Sequence, residues 1–209
     1  MRKLILAALL LTMSMVPVLA QEITSKVTVY EEFKPALIEL TDGRVLSQPF
    51  ANVFLKNGRL LYKRGTTTME ANMDNIASVK FDDRHYQKID TLLAYPVDSL
   101  GLVYCADLMD LEAYRGMLVN NKQLTNIELG GSMVNTTAVD LDSDAASKMP
   151  IKNMYFLKFQ GKFLLAHERV IQHKLSKSQR RIFNTIISTE GFKWTDPDSL
   201  LRLLQAIDK

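Results

Sequence analysis

The densest group of titratable side chains in the sequence is Asp82-Asp83-Arg84-His85. Two carboxylates beside an imidazole can hold a metal ion or transfer protons near neutral pH. The group directly follows a predicted strand, where a solvated, charged turn is the ordinary explanation. We therefore favour the turn, and we keep a hydrolase with its site near Asp82, Asp83 and His85 as the alternative.

A second segment, His167-Glu168 with His173, resembles a zinc helix in composition but not in spacing. Metalloprotease helices carry their two histidines one turn apart, so that both rings face one ion. Here the separation of six residues turns the second ring by about 240° around an ideal helix. We therefore predict no metal ion at this segment.

Three acidic residues, Asp140, Asp142 and Asp144, have the spacing that begins a calcium-binding loop. Ala145 stands where the sharp turn of such a loop needs glycine, and Ile151 stands where a bidentate glutamate is needed. The pattern therefore predicts no calcium-binding loop of this type, although a loose surface site for calcium stays open as an alternative.

Nucleophiles are equally poorly supported. Cys105, the only cysteine, lies in a short apolar run and has neither a base nor a cationic setting beside it in the sequence, which is typical of a buried structural thiol. Ser132 follows Gly131 without the second glycine of a nucleophile elbow. With no glycine-rich phosphate loop either, we predict no catalytic residue, no metal ligand and no cofactor.

The first 20 residues have the pattern of a cleavable signal peptide. Arg2 and Lys3 are followed by an apolar run from Leu4 to Leu11, which is far shorter than the ~20 residues that span a bilayer. Cleavage is predicted between Ala20 and Gln21, so a permanent transmembrane anchor is the less favoured interpretation. We expect an exported protein that is periplasmic, associated with the outer envelope or secreted.

Charge is unevenly distributed along the chain. The net charge of +3 falls to +1 without residues 1–20, and a nearly neutral chain argues against a nucleic-acid binder. Residues 21–147 carry 12 basic and 18 acidic side chains, whereas residues 148–209 carry 12 basic and 5 acidic ones. Ordinary solvated surface is the favoured explanation, and docking of the basic part on the acidic part or on an anionic envelope partner is the alternative.

One basic cluster and one aromatic residue in this C-terminal third could serve such a partner. The cluster consists of Lys174, Lys177, Arg180 and Arg181, and the anionic partner would be a lipid head group or an acidic polysaccharide. Trp194, the only tryptophan, could stack on a sugar, but a position in the core or between helices is the ordinary interpretation.

Strands and turns dominate the prediction for the first half of the chain. Asp42-Gly43 and Asn57-Gly58 predict tight hairpin turns, because such pairs supply the positive φ angles that these turns need. Asn72 to Asn75 predicts a single helical turn. Strands are predicted at 26–33, 36–40, 44–46, 53–56, 59–63, 66–70 and 76–81.

In the rest of the chain we predict a helix at 107–118 with Asp107 as its N-cap, strands at 134–141, 153–159 and 162–165, and two C-terminal helices. Ser176 and Gln179 have the spacing of a capping box for the first of these helices, and Gly191 is its expected end. Asp196 followed by Pro197 predicts the start of the second.

These elements predict an α+β protein of mainly antiparallel β-hairpins, which form a curled sheet or small barrel closed by two short C-terminal helices. We divide the chain into a signal peptide at 1–20, an acidic β-rich body at 21–147 and a basic hairpin with two helices at 148–209. The last segment is expected to pack on the body as part of one domain.

The layout resembles that of a group of exported, β-rich proteins of Gram-negative bacteria that has no assigned activity. The resemblance rests on the signal peptide, the turns at Asp42-Gly43 and Asn57-Gly58, the strand Ile76 to Phe81 and the ending from Tyr155 through two short helices. It implies no catalytic residues. The favoured function is binding or assembly in the envelope or outside the cell, without catalysis.

Overall fold

The structure is a computed structural model and describes residues 23–24, 27–120 and 149–208. These residues form eleven strands, four α-helices and one 3-10 turn, Met73–Asn75. The strands are β1 (Ile23–Thr24), β2 (Lys34–Leu40), β3 (Val45–Phe54), β4 (Arg59–Arg64), β5 (Thr67–Glu70), β6 (Ile76–Lys80), β7 (His85–Ile89), β8 (Leu92–Pro96), β9 (Val103–Met109), β10 (Met149–Phe159) and β11 (Lys162–Leu165). The helices are α1 (Leu111–Asn120), α2 (Glu168–Gln172), α3 (Lys177–Ile187) and α4 (Pro197–Ile207).

All strand pairings are antiparallel, and they join the strands into one sheet. Its order is β1-β10-β9-β8-β7-β6-β2-β3-β4-β5, with β11 also paired to β10. The predicted combination of a mainly antiparallel sheet with a few short helices is therefore confirmed. The described strands do not close on themselves, so the small barrel that the sequence also allowed is not formed by them.

Both predicted hairpin turns are present. Gly43 has a φ of +84° in the turn between β2 and β3, and Gly58 has a φ of +70° in the turn between β3 and β4. The side chain of Asn57 accepts a hydrogen bond from the backbone of Arg59. Local turn chemistry thus decides where these strands reverse.

The turn between β3 and β4 folds over the sheet and contacts β8 and β9. The amide of Leu93 donates to the carbonyl of Gly58 at 2.8 Å, and the amide of Met109 donates to the carbonyl of Leu55 at 2.7 Å. A Cβ atom at Gly58 would lie 2.8 Å from the Cβ of Leu92, so only glycine permits this approach. The β3–β4 turn is thus held directly against β8 and β9.

Two large apolar cores lie along the sheet. The first fills the curl of β2 to β8, and the second lies between β9, β10 and the C-terminal helices. Tyr95 on β8 packs against both cores. The first core contains Ala36, Ile38, Ala51, Val53, Leu60, Met73, Ile76, Val79, Phe81, Tyr86 and Leu93. The second includes Val103, Cys105, Tyr155, Leu157, Phe159, Phe183, Leu200, Leu203 and Leu204.

The C-terminal helices begin as predicted. The capping box of α3 is present, with hydrogen bonds in both directions between Ser176 and Gln179. Asp196 caps α4 by accepting from the amide of Ser199 at 3.0 Å. The end of α3 differs from the prediction, because the helix stops at Ile187 and Gly191 lies in the turn that follows.

The predicted strand at 26–33 is wrong for residues 27–33, which bend and make one isolated bridge, Thr28 with Phe54. A buried side chain replaces the ladder here. The side chain of Asn52 accepts from the amide of Tyr30 at 3.1 Å and donates to its carbonyl at 2.9 Å. Because these backbone groups are satisfied by a side chain, the segment needs no strand partner at that point.

The predicted helix at 107–118 starts too early. Asp107 lies within β9, where it is paired with Asn153 of β10. Helix α1 begins at Leu111, and Asp110 accepts a hydrogen bond from the amide of Ala113. Pairing with a distant strand has overridden the local capping signal of Asp107.

Several predictions fall outside the described residues. They are the signal peptide with its cleavage between Ala20 and Gln21, the strand at 134–141, the serine at 132 and the calcium pattern that begins at Asp140. Among the helices that the structure describes, none has the length and apolar character needed to cross a membrane.

Candidate functional site

The predicted cluster at 82–85 forms the turn between β6 and β7, and its two carboxylates face a lysine. Nζ of Lys34 lies 2.9 Å from Oδ1 of Asp82 and 3.1 Å from Oδ1 of Asp83. Asp83 also accepts a hydrogen bond from the hydroxyl of Tyr30 at 3.1 Å. The carboxylates are thus held by the first residue of β2 and by a phenol from the segment before it.

His85 lies outside this arrangement. It begins β7, is exposed and pairs with Lys80 of β6, whereas its neighbour Tyr86 is buried in the first core. Successive strand residues point to opposite faces, so the imidazole faces away from that core. Within the part of the chain that the structure describes, no hydrogen bond joins His85 to Asp82 or Asp83.

A second charged group lies beside the turn, and sequence analysis did not find it. Nη1 of Arg84 donates to Oδ2 of Asp107 at 3.2 Å, and the guanidinium lies 4.4 Å from the ring centroid of Tyr95. The hydroxyl of Tyr95 donates to Oδ1 of the same carboxylate at 3.2 Å. Both oxygens of Asp107 are therefore engaged, at the junction of the two cores.

Cys105 lies in β9 beside this group, buried as predicted. Its sulfur is 3.6 Å from Oδ1 of Asp107. Burial, followed by the neighbouring carboxylate, raises the pKa of the Cys105 thiol to about 12. The thiol therefore stays protonated at neutral pH and is a poor nucleophile.

A row of aromatic rings underlies the turn. Tyr30 and Phe81 have centroids 4.8 Å apart, Phe81 and Tyr86 5.8 Å apart, and Tyr86 and Tyr95 5.5 Å apart. The hydroxyl of Tyr86 is buried beside Tyr30 and Arg84 without a hydrogen bond of good geometry. Burial raises the pKa of Tyr30, Tyr86 and Tyr95, so all three remain neutral phenols.

The pKa shifts of these side chains make them unsuitable for acid–base chemistry near neutral pH. The hydrogen bond from Lys34 lowers the pKa of the Asp82 carboxyl, which keeps it ionised, whereas the tyrosines and Cys105 keep their protons. A general base or acid works best with a pKa near the working pH. The geometry around the turn supports ion pairing and packing better than proton transfer.

The histidines of the segment from His167 to His173 lie apart in the structure. His167 and His173 flank the short helix α2 at its two ends. In the described ranges, no group of three histidine, cysteine, aspartate or glutamate side chains could hold a metal ion.

All ion pairs of the described residues join side chains within residues 34–107. None joins residues 149–208 to the acidic body, so the described contacts give no support to electrostatic docking of the basic third on it. Apolar packing and the ladder of β10 with β9 connect the two parts.

Four of the seven exposed large apolar side chains in the described part of the chain lie on the β2–β3 hairpin, and we call this group the hairpin patch. Its members Leu37, Val45, Leu46 and Phe50 are 47%, 60%, 48% and 53% exposed. β4 pairs with β3 only from Ala51 onwards. The edge of residues 45–50 that faces away from β2 is therefore not covered by any described strand. Large apolar side chains exposed on both faces of one edge are unusual for a strand.

The hairpin patch could not be predicted from the sequence, because alternation of apolar residues does not reveal whether a strand is paired on both of its edges. The consecutive apolar pair Val45-Leu46, followed by Pro49, was the one available signal, since proline in a strand points to an edge.

Comparisons with family models, with curated proteins and with solved structures return no match for this chain.

Proposed function

We propose that this protein is exported and acts without catalysis, by binding an extended, acidic segment of another envelope protein at the edge of β3. The observation that supports the proposal most directly is the hairpin patch, whose four large apolar side chains are about half exposed. Exposed apolar surface of this kind marks interaction sites. The alternative of a hydrolase near Asp82, Asp83 and His85 has no observation in its favour among the described residues.

The backbone of β3 offers hydrogen-bonding groups to such a segment. The amide of Leu40 donates to the carbonyl of Arg44, which makes this pair a hydrogen-bonded one. Hydrogen-bonded and non-hydrogen-bonded pairs alternate along the two strands. The backbone amide and carbonyl of Leu46 therefore point towards β2. The amides and carbonyls of Val45 and Ser47 therefore point outward, towards the uncovered edge.

The side chains next to this edge suit an added strand. Leu46 is opposite Ile38 on the face of the first core, and Val45 is opposite Glu39 on the other face. A strand laid beside β3 would cover Leu46 with one of its faces and Val45 with the other. Strand addition gains its affinity from main-chain hydrogen bonds and its specificity from alternate side chains.

Two prolines limit how far this pairing can extend. Pro49 has no amide hydrogen to give to a neighbour, and Pro35 lies at the irregularity of register between Lys34 and Ala36. Prolines and bulges are common protection against uncontrolled pairing of sheet edges. The bound segment is therefore short and lies beside residues 44–48.

Charge near the hairpin patch indicates an acidic partner. Lys80 is paired with Leu37 across β2 and β6, and Arg64 ends β4 beyond its last pair with β3. Neither cation takes part in the described ion pairs, whereas Asp42 is already paired with Arg44. Against them stands Glu39, opposite Val45, whose carboxylate accepts a hydrogen bond from Ser78. Charge of opposite sign would speed association and select the partner.

The test uses a labelled peptide of about ten residues with alternating valine and glutamate, the pattern of a strand with one acidic face. We expect binding in which the amide resonances of Val45 and Ser47 shift and their hydrogens become protected from exchange. A peptide with lysine in place of glutamate, or with a central proline, should bind much more weakly. Nuclear magnetic resonance and fluorescence anisotropy measure these effects.

The variant Val45→Glu should weaken binding by about tenfold or more, because it removes an apolar contact and places a carboxylate beside the glutamates of the peptide. Its matched control is Leu100→Glu, since Leu100 is 58% exposed and lies in the connection between β8 and β9, away from the hairpin. Equal affinities of the two variants, or no peptide binding by the unaltered protein, would reject the proposal.

Export has its own test. We expect the protein recovered from outside the cytoplasm to begin at Gln21, because residues 1–20 have the pattern of a cleaved signal. Mass spectrometry of the intact protein reports this directly. Recovery with residues 1–20 retained would contradict the cleavage, and recovery only from the cytoplasm would contradict export.

A further inference from the structure

A groove near the C-terminus is lined mainly by polar side chains, unlike the two apolar cores. It has a volume of about 810 Å³ and is bordered by Ala166, His167, Glu168, Arg169, Gln172 and Trp194. The first five residues belong to α2 and its approach from β11, and the tryptophan lies in the connection between α3 and α4. Small-molecule sites commonly have volumes of this order. We call it the Trp194 groove.

The indole of Trp194 has a defined orientation. Its ring centroid lies 5.1 Å from that of Phe192 in an edge-to-face arrangement and 6.2 Å from that of Phe183. Phe183 is completely buried in the second core. The tryptophan is only partly buried and borders the groove, so a rigid aromatic surface is presented there.

Polar side chains with unused hydrogen-bonding capacity surround this ring. Glu168 and Arg169 are exposed and take part in none of the ion pairs that the described residues form. His167, at the cap position of α2, makes no capping hydrogen bond with its side chain. The groove thus combines an aromatic surface with a carboxylate, a guanidinium and an imidazole.

The charge around the groove is positive. Arg180 on α3 donates from Nε to the carbonyl of Gln172 at 3.1 Å, which places this arginine beside the groove. Lys193 precedes the tryptophan and is exposed. Against Arg169, Arg180 and Lys193 stand Glu168, which borders the groove, and Asp196, whose carboxylate already accepts two hydrogen bonds from Ser199. A ligand with negative charge is therefore favoured over a neutral one.

We infer that the Trp194 groove binds an acidic oligosaccharide. The carbon–hydrogen face of a sugar ring packs on the indole, as apolar surface does on aromatic rings, and Arg169 binds a sugar carboxylate in the bidentate manner of guanidinium groups. Glu168 accepts hydrogen bonds from sugar hydroxyl groups, and the Gln172 amide can both accept from them and donate to them. The inference is independent of the hairpin patch, which lies on β2 and β3.

The experiment uses trigalacturonate, with maltotriose as the neutral probe of equal length. Because Trp194 is the only tryptophan, the intrinsic fluorescence of the whole protein reports on this groove. We expect trigalacturonate to change the emission with a saturable dependence on concentration, and maltotriose to change it little. The apparent affinity should fall as salt is added, since the ion pair is screened.

Two variants, measured by calorimetry, separate a specific site from general attraction to a basic surface. Arg169→Gln should weaken binding of trigalacturonate by about tenfold, the loss expected for one charge-assisted pair. Lys162→Gln, which removes the same charge from an exposed position at the start of β11, should leave the affinity unchanged.

Three results would overturn the inference. They are unchanged emission with both sugars, equal binding of both sugars, and an equal loss of affinity in the two variants. Thermal unfolding of each variant shows whether it is folded, and a variant that unfolds early is replaced by Arg169→Lys, which keeps the charge and loses the bidentate geometry. That variant should bind more weakly than the unaltered protein, and unweakened binding would count against the inference.

Discussion

Arg84 and Asp107 are 23 residues apart in the sequence and meet through a hydrogen bond of 3.2 Å between Nη1 and Oδ2. The arginine lies in the turn before β7, and the aspartate lies on β9, so the contact reaches across the strand between them. Tyr95 on the intervening strand β8 donates to the other carboxylate oxygen. One carboxylate thus ties the turn to the junction of the two cores.

Removal of this carboxylate should destabilise the fold. We expect Asp107→Ala to lower the free energy of unfolding by about 2 kcal/mol, because two partly buried donors lose their acceptor. Asp82→Ala is the control, since the Asp82 side chain is 78% exposed and an ion pair so exposed to solvent contributes little to stability. Urea unfolding measures the loss of unfolding free energy in each variant. Equal losses would show that the hydrogen bonds of Asp107 do not stabilise the junction.

The contact of the β3–β4 turn with β8 should be sensitive to a single methyl group. Gly58 and Gly65 both have positive φ angles, +70° and +63°, but only at Gly58 would a Cβ meet other atoms, at 2.8 Å from Leu92. We expect Gly65→Ala to cost about 1 kcal/mol for the backbone conformation alone. Gly58→Ala should cost about 3 kcal/mol, because overpacking is added. Similar losses of unfolding free energy in the two variants would contradict this contact.

The cap of α4 should make stability depend on pH. The hydrogen bond from the Ser199 side chain lowers the pKa of Asp196, so its contribution is complete above the unfolded value of about 3.9 and is lost as the pH falls through the lower folded value. We expect Asp196→Ala to lower the free energy of unfolding by about 1 kcal/mol at pH 7, and by less near pH 3.

The control for this cap is Asp198→Ala, because Asp198 lies in the same first turn but is not the capping residue. Its substitution should cost no more than about 0.5 kcal/mol, through the helix dipole. Urea unfolding at the two pH values supplies the comparison. A loss for Asp196→Ala that is the same at both pH values would refute the proposed pH dependence.

The residues after Lys148 should be required for the stability of the whole protein. The second core joins Val103 and Cys105 of β9 to Phe183 and Leu200 of the helices, and each apolar side chain that is fully buried there contributes about 1.5–3 kcal/mol. A chain ending at Lys148 should therefore be insoluble or lose cooperative thermal unfolding. A sharp transition near the full-length temperature would instead show two independent domains.

Turns and helix starts could be predicted from the sequence because their causes are local. Glycine at a positive φ decides the reversals at Gly43 and Gly58, and short side chains cap the first amides of α3 and α4 whatever packs around them. Ser176 with Gln179 illustrates this, since both partners lie within one turn of helix. The same locality explains why the hairpins and the mainly antiparallel class could be predicted.

Features that depend on a distant neighbour were decided by tertiary structure alone. Asp107 has the local pattern of a helix cap, yet pairing with Asn153 makes it part of a strand and places it beside Arg84. Likewise, Leu46 alternates like a core residue but is exposed, because β4 pairs with β3 only from Ala51 onwards. Sequence patterns encode which residues prefer burial, whereas the path of the chain determines which strands lie next to each other and so which side chains are covered.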